Sequence, residues 1–104
     1  MREIEAFRAS DLGPNEIRQL IVDGRGPIAV YNLDGEFYAT DDTCTHGDAS
    51  LAEGDIDGDE VVCPYHLGTF DIRSGEAAAS PCVLALKTFP VRVADDIVYV
   101  QIDE

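Results

Sequence analysis

The feature that most constrains the fold is the close spacing of short strand-like segments. Runs of β-branched, aliphatic and aromatic residues recur along the chain, and turn-forming Gly, Asp, Asn or Pro residues separate them. This pattern predicts an all-β protein, built as a compact sandwich or barrel, with at most one helical turn after Ser10. The predicted strands are Glu3–Phe7, Ile17–Val22, Ile28–Asn32, Glu36–Ala39, Val61–Val62, Thr69–Ile72, Thr88–Val93 and Ile97–Ile102.

The turns between these strands carry their own signals. Asp34-Gly35 predicts a two-residue hairpin, because both turn positions need a positive φ. Asp57-Gly58 and Asp95-Asp96 predict further turns. Between Phe89 and Val93, alternate residues are apolar, which predicts one apolar face with Arg92 pointing away from it.

Two long segments, 41–58 and 73–86, are rich in Asp, Ala, Gly and Ser and do not predict strands. Irregular connections longer than about 12–15 residues are uncommon in small domains and are usually functional or disordered. We therefore expect a functional site in or beside these two segments.

Length and composition restrict the class of protein. The 104 residues predict a single domain over 1–104, and the net charge of −14 disfavours nucleic acid and anionic membranes as partners. No segment approaches the ~20 apolar residues of a membrane helix, and the N-terminal MREIEAFRASD does not resemble a signal peptide. We expect a cytoplasmic protein. Its three cysteines, an odd number, favour metal binding over a disulfide framework.

The acidic residues are unevenly distributed. No Lys or Arg lies between Arg25 and Arg73, a stretch that carries eleven carboxylates and both histidines of the chain. This stretch is either a solvated, solubilising face or a docking face for a basic partner. In the second interpretation Asp48, Glu53 and Asp55 steer the association.

The two histidines each follow a cysteine closely. Cys44 and His46 form a C-x-H pair, Cys63 and His66 form a C-x-x-H pair, and sixteen residues separate the two pairs. Three interpretations are open: unrelated core residues, a Cys2His2 zinc site, or a binuclear iron cluster. Zinc fingers generally pair Cys with Cys and His with His. The mixed pairs seen here suit a cluster in which one iron takes both cysteines and the other both histidines.

CTHG at 44–47 and CPYH at 63–66, with EFYATDDTCTHG, CPYHLGTFDIRSGE and PCVLALKTFPVRV, resemble the Rieske 2Fe-2S proteins. The resemblance is to the small ferredoxins of bacterial aromatic-ring-hydroxylating dioxygenase systems. It implies that Cys44 and Cys63 bind one iron and that His46 and His66 bind the other. It also implies a Rieske-like antiparallel β-sandwich or barrel with a cluster-binding loop subdomain at one tip.

The ligands and their neighbours indicate the redox range. Two neutral imidazoles in place of two thiolates make the core less negative, which raises the potential into the Rieske range of about −150 to +300 mV. High-potential Rieske proteins carry a Ser two places and a Tyr four places after the second histidine, where this chain has Gly68 and Phe70. They also carry a disulfide between the cluster loops, for which this chain has only Cys82 left. We expect a potential near the bottom of the range.

Cys82 is interpreted as a small buried hydrophobe, with a redox or ligand role as the alternative. By the resemblance, Pro81 lies in a third loop that shields the cluster.

The function expected from the resemblance is one-electron transfer. An NAD(P)H-dependent flavoprotein ferredoxin reductase would supply the electron, and a terminal oxygenase with a Rieske centre and a mononuclear iron would accept it. With both histidines committed, no 2-His-1-carboxylate iron site remains, and no G-x-G-x-x-G motif follows a strand, so the chain is not expected to be an enzyme. Two alternatives remain: the Rieske-type small subunit of an assimilatory nitrite reductase, and a zinc-stabilised interaction module.

Overall fold

Strands make up most of the structure. The computed structural model describes residues 2–22, 24, 26–44, 49–64, 68–79 and 85–102. Short 3-10 turns occur at Ala9–Asp11 and Leu51–Glu53. Among the described residues, no helical segment has the length and hydropathy of a membrane span. The strands are β1 Arg2–Arg8, β2 Ile17–Leu20, β3 Ile28–Leu33, β4 Glu36–Asp41, β5 Asp55–Asp57, β6 Glu60–Val62, β7 Thr69–Asp71, β8 Ala77–Ala79, β9 Thr88–Phe89, β10 Val91–Ala94 and β11 Ile97–Ile102.

These strands form three sheets, and each of the pairings within them is antiparallel. The base sheet has the order β1-β11-β10, the central sheet β2-β3-β4-β9, and the loop sheet β5-β6-β7-β8. The predicted all-β class with antiparallel sheets is confirmed. Two connections concern the site: the one from β4 to β5, which enters the loop sheet, and the one from β6 to β7, which lies within it.

Strand β3 explains how the three sheets share a core. All six of its residues are buried, as expected for a strand covered on both faces. Ile28 and Val30 pack in one apolar cluster with base-sheet residues such as Val98 and Val100. Ala29, Tyr31 and Leu33 pack in a second cluster with loop-sheet residues such as Val61 and Phe70. The central sheet therefore lies between the base sheet and the loop sheet.

The predicted hairpins are confirmed. Asp34 and Gly35 have φ of 53° and 95°, and Asp95 and Asp96 have φ of 52° and 64°, as a two-residue turn with both positions left-handed requires. Gly58, with φ of 62°, lies in the turn between β5 and β6.

The predicted strand Thr88–Val93 is two strands. It divides at Pro90, whose missing N–H cannot continue a ladder, so β9 joins the central sheet and β10 the base sheet. Arg92 is exposed and lies over the Tyr99 ring, as its outward position predicts. Val93 is 46% exposed, however, so the predicted apolar face is wrong at this position. It shares a face with its buried register partner Val98, but β10 is an edge strand and its end is not covered.

The prediction that 41–58 and 73–86 are irregular is wrong at β5 and β8. These strands have only three residues each, Asp-Ile-Asp and Ala-Ala-Ala, and neither sequence has a high strand propensity. Pairing with β6 and β7 places them in the sheet. Their extended conformation is thus set by tertiary context.

Candidate metal centre

The first Cys/His loop, residues 44–49, follows the end of β4. The Cys44 N–H donates a hydrogen bond of 3.0 Å to the carbonyl of Ala49, and Thr43 and Ser50 form an isolated antiparallel bridge just outside it. Cys44 and Ala49 are each 2% exposed. The loop therefore leaves and re-enters the core at adjacent buried points.

The second Cys/His loop, residues 63–68, connects β6 and β7 and closes in the same way. The Cys63 N–H donates a hydrogen bond of 2.8 Å to the carbonyl of Gly68, and Cys63 is 1% exposed. In both loops the cysteine amide bonds the carbonyl five residues later. Each of the two loops therefore begins with a buried cysteine and is closed by the same backbone hydrogen bond.

The two cysteines belong to one buried cluster. Cys44 and Cys63 pack in the apolar core between the central and loop sheets, together with Leu51 and Phe70. Neither cysteine is in a disulfide. The structure therefore brings together two of the four predicted ligands, one from each loop.

The entry and exit of the first loop are held by Asp42, which is 1% exposed. Its carboxylate accepts hydrogen bonds from the side chains of Gln19 and Ser50 and from the amide of Ala52. Asp42 is not among the predicted site residues. In sequence it is one acid among eleven in a basic-free stretch, and its partner Gln19 lies 23 residues away, so no local signal marks it.

Gly54 is a second residue that sequence reasoning missed. A Cβ at this position would overlap the carbonyl oxygen of Val62, the residue before Cys63. Only glycine allows the chain leaving the first loop to approach the strand that leads into the second. Gly54 therefore sets how closely the stems of the two loops pack.

Several predicted residues lie outside the described residues: His46, His66, Asp48, Pro81 and Cys82. Among the described residues, no three His, Cys, Asp or Glu side chains converge in a way that could hold a metal ion. The histidine ligands therefore remain predictions.

The donor set and its surroundings fit a 2Fe-2S cluster. Two thiols outside disulfides lie in an apolar core, where a thiolate without a compensating cation would be costly, and thiolates are the ligands that iron–sulfur clusters use. Phe70 is fully buried in the same core, so it can exclude water from this region. The described residues are therefore compatible with a cluster at the cysteines.

Comparisons with known proteins agree with this site. The model of the Rieske [2Fe-2S] domain matches residues 2–90. The ferredoxin CarAc of Metapseudomonas resinovorans is 50% identical over 97 residues, covering 93% of this chain and 91% of that protein.

Two solved structures are similar in fold and sequence. The ferredoxin of Sphingomonas yanoikuyae B1 superposes with a TM-score of 0.92 at 36% identity, covering 98% of this chain and all of that one. A chain from the complex of reduced oxygenase and oxidised ferredoxin in carbazole 1,9a-dioxygenase also gives 0.92, at 47% identity, covering 94% of this chain and 91% of that one. The chain belongs to the Rieske [2Fe-2S] domain family, and within it to the ferredoxins, which carry electrons and are not themselves enzymes.

Proposed function

We propose that this ferredoxin is the one-electron carrier of an aromatic-ring dioxygenase system. It would accept electrons from an NAD(P)H-dependent flavoprotein ferredoxin reductase and deliver them to a terminal oxygenase that has a Rieske centre and a mononuclear iron. The observation that carries this proposal is the pair of buried cysteines, each at the start of a loop closed by the same hydrogen bond. The relatives of this chain include ferredoxin components of the p-cumate and naphthalene dioxygenase systems.

The proposed cluster ligands are Cys44, His46, Cys63 and His66. Cys44 and Cys63 would hold one iron, and His46 and His66 the other. When bound, the cluster accepts and releases a single electron. The chain's own contribution is to orient the two cysteines by the matching amide hydrogen bonds and to keep water from them with the buried side chains of Leu51 and Phe70.

We propose a potential near the bottom of the Rieske range. Donors to the cluster or ligand sulfurs stabilise the reduced state, so their absence lowers the potential. Gly68 and Phe70 have no side-chain hydrogen-bond donor, and both are buried. The acidic stretch between Arg25 and Arg73 adds negative charge and acts in the same direction.

We further propose that residues 1–104 form a single Rieske domain that works in the cytoplasm, where NAD(P)H is available to its reductase. Two exposed carboxylates that follow the first Cys/His loop, Glu53 and Asp55, would steer docking of a basic partner surface. Both lie close in sequence to the end of the first Cys/His loop.

The test starts with the purified protein as isolated. Iron and acid-labile sulfide are measured, and EPR spectra are recorded before and after dithionite reduction. We expect about two irons and two sulfides per chain, and a rhombic signal that appears only on reduction, with an average g below that of all-thiolate clusters. A colourless protein holding one zinc would instead support the interaction module.

The second step tests the partners. The protein replaces the ferredoxin of the reconstituted carbazole 1,9a-dioxygenase system, with that ferredoxin and a Cys63→Ser variant as controls. We expect NADH-dependent product formation with this chain and none with the variant. A holo protein that reduces a nitrite reductase but no aromatic-ring oxygenase would move the assignment to the nitrite reductase small subunit.

The same assay tests the docking carboxylates. Glu53→Gln with Asp55→Asn should reduce the dependence of electron transfer on ionic strength. Asp95→Asn, in the exposed β10–β11 turn, is the matched control and should leave that dependence unchanged. Equal salt dependence in all three proteins would remove Glu53 and Asp55 from the docking surface.

A further inference from the structure

We propose that Asp42 is a positioning residue for the first Cys/His loop and that its buried charge lowers the reduction potential of the protein. The inference rests on the proposed function, since it assumes a cluster held by Cys44. It concerns a residue that is not itself a predicted ligand.

Asp42 has the hydrogen bonds of an ionised carboxylate. Its Oδ2 accepts from Ser50 Oγ at 2.6 Å and from Gln19 Nε2 at 2.8 Å, and its Oδ1 accepts from the Ala52 N–H at 2.9 Å. All three donors are uncharged. Three uncharged donors thus satisfy both oxygens of a carboxylate that is 1% exposed, and no cation is among these donors.

The backbone of Asp42 is held as firmly as its side chain. Its carbonyl accepts from the Leu51 N–H at 2.8 Å, and its N–H donates to the Pro27 carbonyl at 3.1 Å. Residue 42 precedes the loop, and residues 50–52 follow it. Asp42 thus ties the exit of the first Cys/His loop to its entry, which fixes where Cys44 is presented.

The position of this charge makes it relevant to electron transfer. Two residues of chain span at most about 7 Å, so the Cα atoms of Asp42 and Cys44 lie within about that distance. Adding an electron near a fixed negative charge is unfavourable, and in a protein interior such an interaction over about 10 Å changes an equilibrium on the order of tenfold. The carboxylate should therefore favour the oxidised protein.

The Asp42→Asn variant removes the carboxylate charge but can keep the hydrogen bonds with Ser50 and Gln19. Asparagine has the same shape, and both Ser50 Oγ and the Gln19 amide can turn to accept where they now donate. We expect the variant to retain iron and sulfide. Its ratio of reduced to oxidised protein at a fixed solution potential should rise about tenfold, which is about 59 mV for a one-electron couple.

Gln19→Lys tests the charge without altering the buried residue. Gln19 is exposed, and its amide already reaches Asp42 Oδ2, so a lysine ammonium at this site would compensate the carboxylate. We expect the potential to rise in this variant too. If Asp42→Asn loses its cluster, the Gln19→Lys potential alone decides the proposal.

Two controls complete the set. Ser50→Ala removes the 2.6 Å hydrogen bond but leaves the charge, so iron should be lost severalfold faster to a chelator while the potential does not rise. Asp95→Asn removes an exposed carboxylate in the β10–β11 turn, outside the acidic stretch, and should change neither quantity.

The measurements are redox titration by EPR and the rate of iron loss to a chelator. A wild-type protein without iron and sulfide would overturn the proposed function and, with it, this inference. A cluster with the same potential in the wild type, Asp42→Asn and Gln19→Lys would overturn the electrostatic role alone. Unchanged iron loss in Ser50→Ala would overturn the positioning role.

Discussion

The base and loop sheets are both antiparallel, but they are held together to very different extents. In the base sheet, β1 and β11 pair at six positions, and in the adjoining central sheet β3 and β4 also pair at six. In the loop sheet, β5 and β6 pair at three positions and β7 and β8 at two. The backbone ladder therefore contributes much less order to the sheet that presents the second Cys/His loop.

The two apolar clusters, one shared with the base sheet and one with the loop sheet, also differ in composition. The cluster shared with the base sheet consists of Val, Ile, Ala and Phe side chains, whereas the cluster shared with the loop sheet contains Cys44 and Cys63. When ligands are part of a core, metal binding contributes to folding free energy. If Cys44 and Cys63 hold the cluster, the loop sheet should depend on metal for folding, whereas the base and central sheets should fold without it.

Loss of the cluster should have the largest effect. Cys63→Ser is expected to abolish cluster binding, and amide protection should then be lost in β5–β8 but kept in β3 and β11, because the longer ladders remain. Hydrogen exchange read by mass spectrometry or NMR measures both regions. Cys82→Ser, which changes the cysteine that is not a predicted ligand, is the matched control and should resemble the wild type.

Equal loss of protection in all three sheets of Cys63→Ser would contradict this comparison, since the loop sheet would then not be a separate unit. Full cluster content in the variant would exclude Cys63 as a ligand.

Substitutions at two buried isoleucines, one on each side of the central sheet, should have a smaller effect and test the same difference in metal dependence. Ile72 and Ile28 are both fully buried, but Ile72 packs on the loop side and Ile28 on the base side. Ile→Ala at either site should lower the free energy of unfolding of the holo protein by about 2–5 kcal/mol. In the metal-free protein Ile28→Ala should keep its effect, whereas Ile72→Ala should lose most of it because the loop sheet is already open.

Chemical denaturation of the holo and metal-free forms, followed by circular dichroism, measures these differences. If Ile72→Ala destabilises the metal-free protein as much as Ile28→Ala does, the loop sheet is folded without metal.

The sequence predicts the base better than the loop sheet, for a physical reason. The β3 run and the turns at Asp34-Gly35 and Asp95-Asp96 are local signals, because burial on both faces and positive φ each favour particular residue types. Strands β5 and β8 contain few strand-favouring residues and depend on pairing with their neighbours β6 and β7. The anchor Asp42 depends on Gln19, 23 residues away. The Cys/His spacing marked the site through a resemblance, and the structure locates two of the four predicted ligands in one core.

Tyr31 lies at the boundary between the two regions. Its backbone is in the central sheet, and its fully buried side chain packs on the loop side. The hydroxyl lies 2.8 Å from Thr40 Oγ1, which donates in turn to the Asp41 carbonyl. In this chain of hydrogen bonds Tyr31 is the donor, so it must be protonated. Burial, and to a lesser extent the charge of Asp42, raises the Tyr31 pKa, although the Thr40 hydrogen bond lowers it.

The smallest effect should come from Tyr31→Phe, and its sign should depend on pH. Below pH ~10, the ordinary tyrosine pKa, the variant should be less stable by about 1 kcal/mol, because it lacks one buried hydrogen bond. Above that pH the unfolded wild type ionises at Tyr31 while the folded form does not, so wild-type stability falls by up to about 1.4 kcal/mol per pH unit. The phenylalanine variant has no such loss. A loss of about 1.4 kcal/mol per pH unit offsets an advantage of about 1 kcal/mol within roughly one pH unit. The free energies of unfolding of the two proteins should therefore become equal near pH ~11.

Urea denaturation between pH 7 and 11 measures this crossover, and Thr40→Val is the matched control. That variant removes the hydrogen-bond partner but keeps the buried phenol, so its stability should fall with pH at least as steeply as that of the wild type. A constant difference between wild type and Tyr31→Phe over the whole range would mean that the phenol is accessible to water. The boundary between the central and loop sheets would then open readily. The loop sheet would be attached to the rest of the fold even more weakly than its short ladders indicate.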